Sequence, residues 1–188
     1  MASAVPINFP TPTEGSIASY DWTDVAEGSG YVIFYGTETR TSTASTPILI
    51  NTIIPSAGDA GQRFIEDNQT WSIDVGAFNL PKIVNGTAYV SCALKKGTGN
   101  TYITVKFQKV DAASATTDIS STIQSNTAST DGFNFLVPAA LTKTHFKKGE
   151  KLRLSLGISD GTASKIWYDP TGTDGAAFRV YVPFDLDL

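Results

Sequence analysis

The chain has one histidine, one cysteine and no apolar run of about eighteen residues, and each shortage closes off a class of function. Ser-His-Asp and Cys-His catalysis, and most zinc sites, need a histidine placed among partners, which leaves His145 as the sole candidate. It stands in THFKKG beside cations that disfavour its charged form, and no Gly-x-Ser-x-Gly elbow accompanies it. His145 therefore reads as a surface or structural residue. A lone cysteine cannot form an intrachain bridge, and Cys92 falls in the apolar register of its segment, where it reads as a small core hydrophobe. Nothing is long and apolar enough to span a membrane as a helix, so no membrane partner is expected. MASAVPINFPTPTEG has neither a basic n-region nor an apolar h-region, so the expectation is a protein made without a signal peptide.

Basic residues are scarce as well. A net charge of −4 and a pI near 4.9, with Lys and Arg scattered, argue against a nucleic-acid partner, which needs clustered cations on one surface. The nearest thing to a patch is Lys147, Lys148, Lys151 and Arg153, and four cations beside a strand read as a solvated rim. At 188 residues the chain is long enough to bury about 70% of its unfolded surface, so it can fold as one domain without disulfides or metal.

What the chain does have is period-two alternation. In KLRLSLGI, Leu152, Leu154, Leu156 and Ile158 leave one face of an extended chain while Lys151, Arg153 and Ser155 leave the other. Trp71, Ile73, Val75 and Ala77 alternate in TWSIDVGAF, as do Ala88, Val90, Cys92 and Leu94 in TAYVSCAL. TYITVKFQ puts Ile103, Val105 and Phe107 on one face, and FNFLV alternates again. The closing AFRVYVPFDLDL does the same, with a proline at Pro183 that predicts an edge or a bulge. KKGTGN predicts a hairpin over 87–110, TTDISSTIQ an edge strand, and PAALTKTHF a helical turn or a loose crossing. Many short strands without intervening helices predict an all-β fold, an antiparallel two-sheet β-sandwich of jelly-roll type over 31–188. Residues 1–30, rich in Pro and Gly with scattered Ile7, Phe9 and Trp22, predict an extended N-terminal arm or long ordered loop.

Acids and aromatics supply the remaining chemistry. A glycosidase needs only two carboxyls a short distance apart, but Asp74 points from the polar face of its strand, and Glu66, Asp67 and Asp169 stand at strand ends, where solvation is the ordinary state. DPTGTDG has turn residues and lacks the alternating oxygen ligands of an EF-hand loop, so no metal is expected. Trp71 lies in an apolar register. Trp22 or Trp167 could offer a stacking platform for a glycan, and Tyr89, Tyr102 and Tyr181 fall on outer registers, where tyrosines serve subunit interfaces as well as sugars.

The series INFPTPTEGSIASYDWTDVAEGSGYVIFYG, VNGTAYVSCALKKGTGNTYITVKFQKV, FKKGEKLRLSLGI, IWYDPTG and FRVYVPFDLDL resembles virion proteins of tailed bacteriophages, namely jelly-roll capsid decoration (cement) proteins or related head and fibre domains. The Lys-Gly-Glu lead into an alternating strand is also similar to tumour-necrosis-factor-like trimers. The phage resemblance implies a non-enzymatic structural protein without cofactors. Such a protein would bind the outside of a capsid as a trimer, with the major capsid protein and itself as partners, at the virion surface after synthesis in the host cytoplasm. Under that reading Ile7, Phe9, Trp22, Lys147 and Lys148 are the partner-binding candidates. The alternatives are a carbohydrate- or receptor-binding module of a tail fibre or adhesin, and a glycan-active enzyme using two acids.

Overall fold

Alternating apolar residues form strands because a pleated chain sends every second side chain to the same face. In a computed structural model, the described residues are 30–40, 45–50, 64–66, 70–95, 101–127, 134–159, 165–167 and 178–185. They form β1 (Gly30–Arg40), β2 (Ser45–Ile50), β3 (Phe64–Glu66), β4 (Thr70–Val75), β5 (Lys82–Lys95) and β6 (Tyr102–Val110). After these come β7 (Thr116–Asp118), β8 (Ile123–Gln124), β9 (Asn134–Phe146), β10 (Lys151–Ser159), β11 (Lys165–Trp167) and β12 (Arg179–Asp185). No helix occurs among the described residues, so the all-β class stands.

The strands form one sheet in the order β3-β11-β5-β12-β1-β2-β4-β10-β6-β7, with β8 also on β6 and β9 on β5. That sheet is mixed, which corrects the expected antiparallel arrangement. β2 and β4 run parallel, pairing Ile48 with Asp74 and Leu49 with Val75. Between them the chain visits β3, at the far end of the strand order, and then returns, and a crossover of this kind is what parallel neighbours require. The sheet also curls back on itself. The Thr142 N–H donates to the Ile119 carbonyl at 2.8 Å, tying β9 to the segment after β7. One limb is therefore β9-β5-β12-β1, the other β4-β10-β6-β7, and both turn their apolar face inward.

The inward residues are those the alternation marks. Ile73 and Val75, Ala88, Val90 and Cys92, Ile103, Val105 and Phe107, and Leu152, Leu154, Leu156 and Ile158 are all buried in a single cluster. Each large aliphatic side chain withdrawn from water contributes roughly 2 kcal/mol. Phe178, Val180, Val182 and Phe184 face the same core from β12, and Phe78 meets Phe146 and Phe184 edge-on at 5.2 and 5.8 Å. Ala77, expected on the core face, is exposed, because the strand ends at Val75.

Three further expectations need correction or refinement. The hairpin over 87–110 does not form, because both edges of β5 are occupied, one by β9 and the other by β12 and β11, while β6 pairs with β10, β7 and β8. PAALTKTHF is neither helical nor loose; it continues β9, with Pro138 opposite Tyr89 on a strand whose only ladder partner among the described residues is β5, a setting that tolerates proline. Pro183 takes the bulge option: β12 pairs on both sides, and its register against β5 shifts between Tyr181 and Phe184. Gly86 faces that bulge at φ +113°, and a Cβ added there would lie 3.5 Å from Pro183 Cγ.

The TTDISSTIQ edge exists as two short pieces, β7 and β8, both on β6. Between them Ile119 dips into the core, and the Ser120 hydroxyl accepts the Phe107 N–H at 2.8 Å.

Candidate functional site

The Lys147-Lys148-Gly149-Glu150 turn shows how the polar residues are used. Gly149 adopts φ +88°, a conformation favouring glycine, and the Glu150 N–H closes the turn on the Lys147 carbonyl at 3.1 Å. Neighbouring backbone locks the corner: the Phe78 N–H donates to the Glu150 carbonyl at 3.0 Å and the Gly149 N–H to the Phe78 carbonyl at 2.8 Å. Glu150 as a whole is only 7% exposed. It accepts the Lys147 N–H at 2.6 Å and pairs with Lys109 Nζ of β6 at 2.6 Å. Lys109 also donates to the His145 carbonyl at 2.9 Å and lies 5.7 Å from the Phe146 ring centre. Desolvation raises the affinity of Glu150 for its proton, but the donors from Lys109 and the Lys147 N–H outweigh it and hold the carboxyl below its ordinary range. This corner is a brace. Lys147, Lys148 and His145 are exposed around it.

A second polar array crosses the outer face of the β4-β10-β6-β7 limb. Asp74, Arg153, Gln108 and Asp118 share one register row. Arg153 grips Asp74 with two donors, Nε at 2.6 Å and Nη2 at 2.9 Å, and the hydrogen bonds to Asp74 raise its already high pKa. Gln108 Nε2 donates to Asp118 at 2.6 Å and Lys106 sits 3.2 Å from the same carboxylate, so Asp118, held first by Gln108 and then by Lys106, titrates below its ordinary range. Asp74 is thus committed to a guanidinium rather than poised as an acid or base. Among the described residues no three His, Cys, Asp or Glu side chains gather as a metal site would need.

The opposite limb has a different outer surface. Tyr31 packs its ring 5.9 Å from that of Tyr89 and donates its hydroxyl to the Thr87 carbonyl at 3.0 Å. Partial desolvation, with Tyr89 alongside, raises the Tyr31 phenol above its ordinary pKa. Arg179 lies over the Tyr35 ring at 5.9 Å. Burial pushes the Cys92 thiol up to about 12, so it cannot supply a thiolate nucleophile near neutrality.

Of the partner-binding candidates, Lys147 and Lys148 stand together on the turn, whereas Ile7, Phe9 and Trp22 lie outside the described residues, as does the arm expected over 1–30 apart from Gly30, which opens β1. Asp67, Asp169 and the DPTGTDG stretch also lie outside them. Sequence reasoning missed Lys109 and Glu150 as a pair, since only their separate positions at strand ends were visible. Asp74 and Arg153 were both legible as outward residues, but their pairing across 79 positions was not.

No protein-family model and no curated protein sequence matches the chain. Solved structures do. A CocE/NonD family hydrolase from Staphylococcus aureus superposes with a TM-score of 0.61 at 11% identity, over 84% of this chain and 37% of the hydrolase. An α-amino acid ester hydrolase gives 0.57 at 10% identity, over 73% of this chain and 34% of its own. An aminopeptidase from a marine sediment Thaumarchaeota archaeon gives 0.57 at 8% identity, over 81% and 37%. The chain therefore spans little more than a third of the length of these proteins, and at such identities the likeness is one of fold.

These structures overturn the phage resemblance. The chain is similar in fold to hydrolases, not to capsid decoration proteins, so the non-enzymatic cement-protein role and its tail-fibre alternative are set aside. The patterns behind that resemblance explain the error. A Lys-Gly-Glu turn before an alternating strand builds a braced wall here, and any β-domain that must start a strand beside a turn can use the same residues.

Proposed function

We propose that this chain is the β-domain of a hydrolase acting on ester or peptide bonds, and that its curled sheet is a two-layered sandwich of jelly-roll type. The observation that carries this reading is the superposition of 73–84% of the chain on proteins named as ester hydrolase, aminopeptidase and CocE/NonD hydrolase. Fold alone does not fix function, so the local chemistry matters too. Asp74, Asp118 and Glu150 are each tied to a cation, and Cys92 is buried as a neutral thiol. These residues brace a scaffold, and in this reading the bond-breaking groups come from further polypeptide of the kind that makes up about two thirds of the similar hydrolases. The domain's contribution is a rigid wall against which that part is held.

The test is to isolate the tagged protein from its native source under non-denaturing conditions and assay the eluate with p-nitrophenyl acetate and alanine p-nitroanilide. Hydrolysis enriched with the tag over an untagged control is the expected result. Eluates no more active than the control would overturn the proposal.

A further inference from the structure

The two outer faces of the curl differ in kind. The β4-β10-β6-β7 face presents the charged row Asp74, Arg153, Gln108 and Asp118, with Lys106 beside it. The β1-β12-β5-β9 face presents, in one register row, Ile33, Tyr181, Tyr89 and Pro138. The next row toward one end is Tyr35, Arg179, Ser91 and Leu136. Toward the other end come Tyr31 beside Pro183, and Thr87 beside Ala140. Leu136 is 63%, Tyr31 53% and Ile33 36% exposed. Tyrosine-rich faces nearly free of charge are the usual material of protein interfaces, and contiguous apolar patches of a few hundred Å² on a monomer are often functional.

We infer that this face is a docking surface for a second copy of the same chain, in a two-fold dimer whose axis crosses the strands. The argument for a second copy is charge complementarity. Arg179 and Asp185 both point outward from β12, six residues or about 20 Å apart, at opposite ends of the face. A two-fold axis across the strands midway between them lays Arg179 of each protomer on Asp185 of the other, and stacks the Tyr181 row on the Pro183 row. An axis along the strands would instead bring Arg179 against Arg179. Sheets packed face to face sit about 10 Å apart with strands crossing at about 30°, which leaves these pairs within reach. In plan, four strands about 4.8 Å apart over that 20 Å give a patch of about 400 Å² per protomer, before side-chain relief is added. The two faces together come to about 800 Å², below the roughly 1,200 Å² at which specific pairs begin, so the dimer is weak and reversible.

Sedimentation equilibrium of the full chain between about 1 and 200 μM tests this. The expected result is a concentration-dependent rise from 20.0 kDa toward twice that mass. Leu136→Glu, on an exposed site that leaves the core untouched, should leave the melting temperature of the dilute monomer unchanged and weaken association at least tenfold. Arg179→Glu and Asp185→Arg should each weaken it similarly, and the double exchange should restore it to within about threefold. A monomer at every concentration, a trimer, or a dimer indifferent to Leu136→Glu would overturn the inference. Failure of the double exchange to rescue would overturn the stated axis.

Discussion

Glu150→Ala removes a carboxylate that ties the Lys147–Glu150 turn to β6, so its cost can be worked from the contacts. The substitution strips the Lys147 N–H and Lys109 Nζ of acceptors at 2.6 Å, at a position only 7% exposed. A hydrogen bond to a charged group is worth about 1.5–3 kcal/mol, and an unpaired buried donor carries a further penalty. Against this, Lys109 keeps the His145 carbonyl and is itself partly exposed, so its ammonium is not stranded. The expected loss is about 2–3 kcal/mol for Glu150→Ala and about 1–2 kcal/mol for Glu150→Gln, which retains one acceptor. With a urea m-value of about 2 kcal/mol/M, Glu150→Ala lowers the midpoint by about 1 M with m unchanged.

A double-mutant cycle with Lys109→Met isolates the ion pair, and a coupling of about 1 kcal/mol or more is expected. The pH dependence follows from the sign of the shift. Glu150 binds its proton less readily folded than unfolded, so its stabilisation is present above the ordinary glutamate pKa and is lost as pH falls through the lower, folded value. Glu150→Gln should therefore flatten the fall in stability on the acid side of the glutamate range. A Glu150→Ala loss under 0.5 kcal/mol, or an acid limb identical to wild type, would refute the brace.

Three other perturbations follow from the same packing. Leu154→Ala, at a fully buried core position, should cost about 3 kcal/mol in urea unfolding, against under about 0.5 kcal/mol for Ser155→Ala on the opposite face of β10. Equal effects would mean the register is wrong. Cys92 should not react with Ellman's reagent in the native protein at pH 8 and should react fully in denaturant, since its thiol is buried with a pKa near 12; prompt native labelling would contradict its place in the core. Gly86→Ala should destabilise by about 1–2 kcal/mol, measured by thermal melting, because φ +113° strains any residue with a Cβ. A neutral result would remove the paired irregularity at Gly86 and Pro183.

The inward faces of β4, β5, β6, β9, β10 and β12 were legible because alternation is a local property, written within six to nine residues of the chain. Pairing was not, and KKGTGN shows why. Its glycines permit a tight reversal, but whether β5 and β6 then pair depends on what else competes for the edges of β5, and β9, β11 and β12 win them from far along the sequence. The same holds for the parallel seam between β2 and β4, which exists only because β3 is drawn to the other end of the sheet. PAALTKTHF, expected as a helical turn or a loose crossing, is instead held extended by its pairing with β5. At the candidate sites, outward direction was readable for Asp74, Arg153, Lys147 and Lys148. The partners were not, because ion pairs such as Lys109 with Glu150 join residues that only the folded sheet brings together. The resemblance to phage coat proteins failed for a related reason: it matched strand and turn patterns that recur wherever a β-wall is built.

The central claim, that the chain works within a hydrolase, is tested most directly by size-exclusion fractionation of a native extract. Each fraction would be probed with an antibody to this chain and assayed for ester and aminoacyl-anilide hydrolysis. The account predicts that the antibody profile coincides with a peak of hydrolysis, and that immunodepletion of the chain removes that peak. A chain eluting in fractions without hydrolysis, or a peak that survives its depletion, would contradict it.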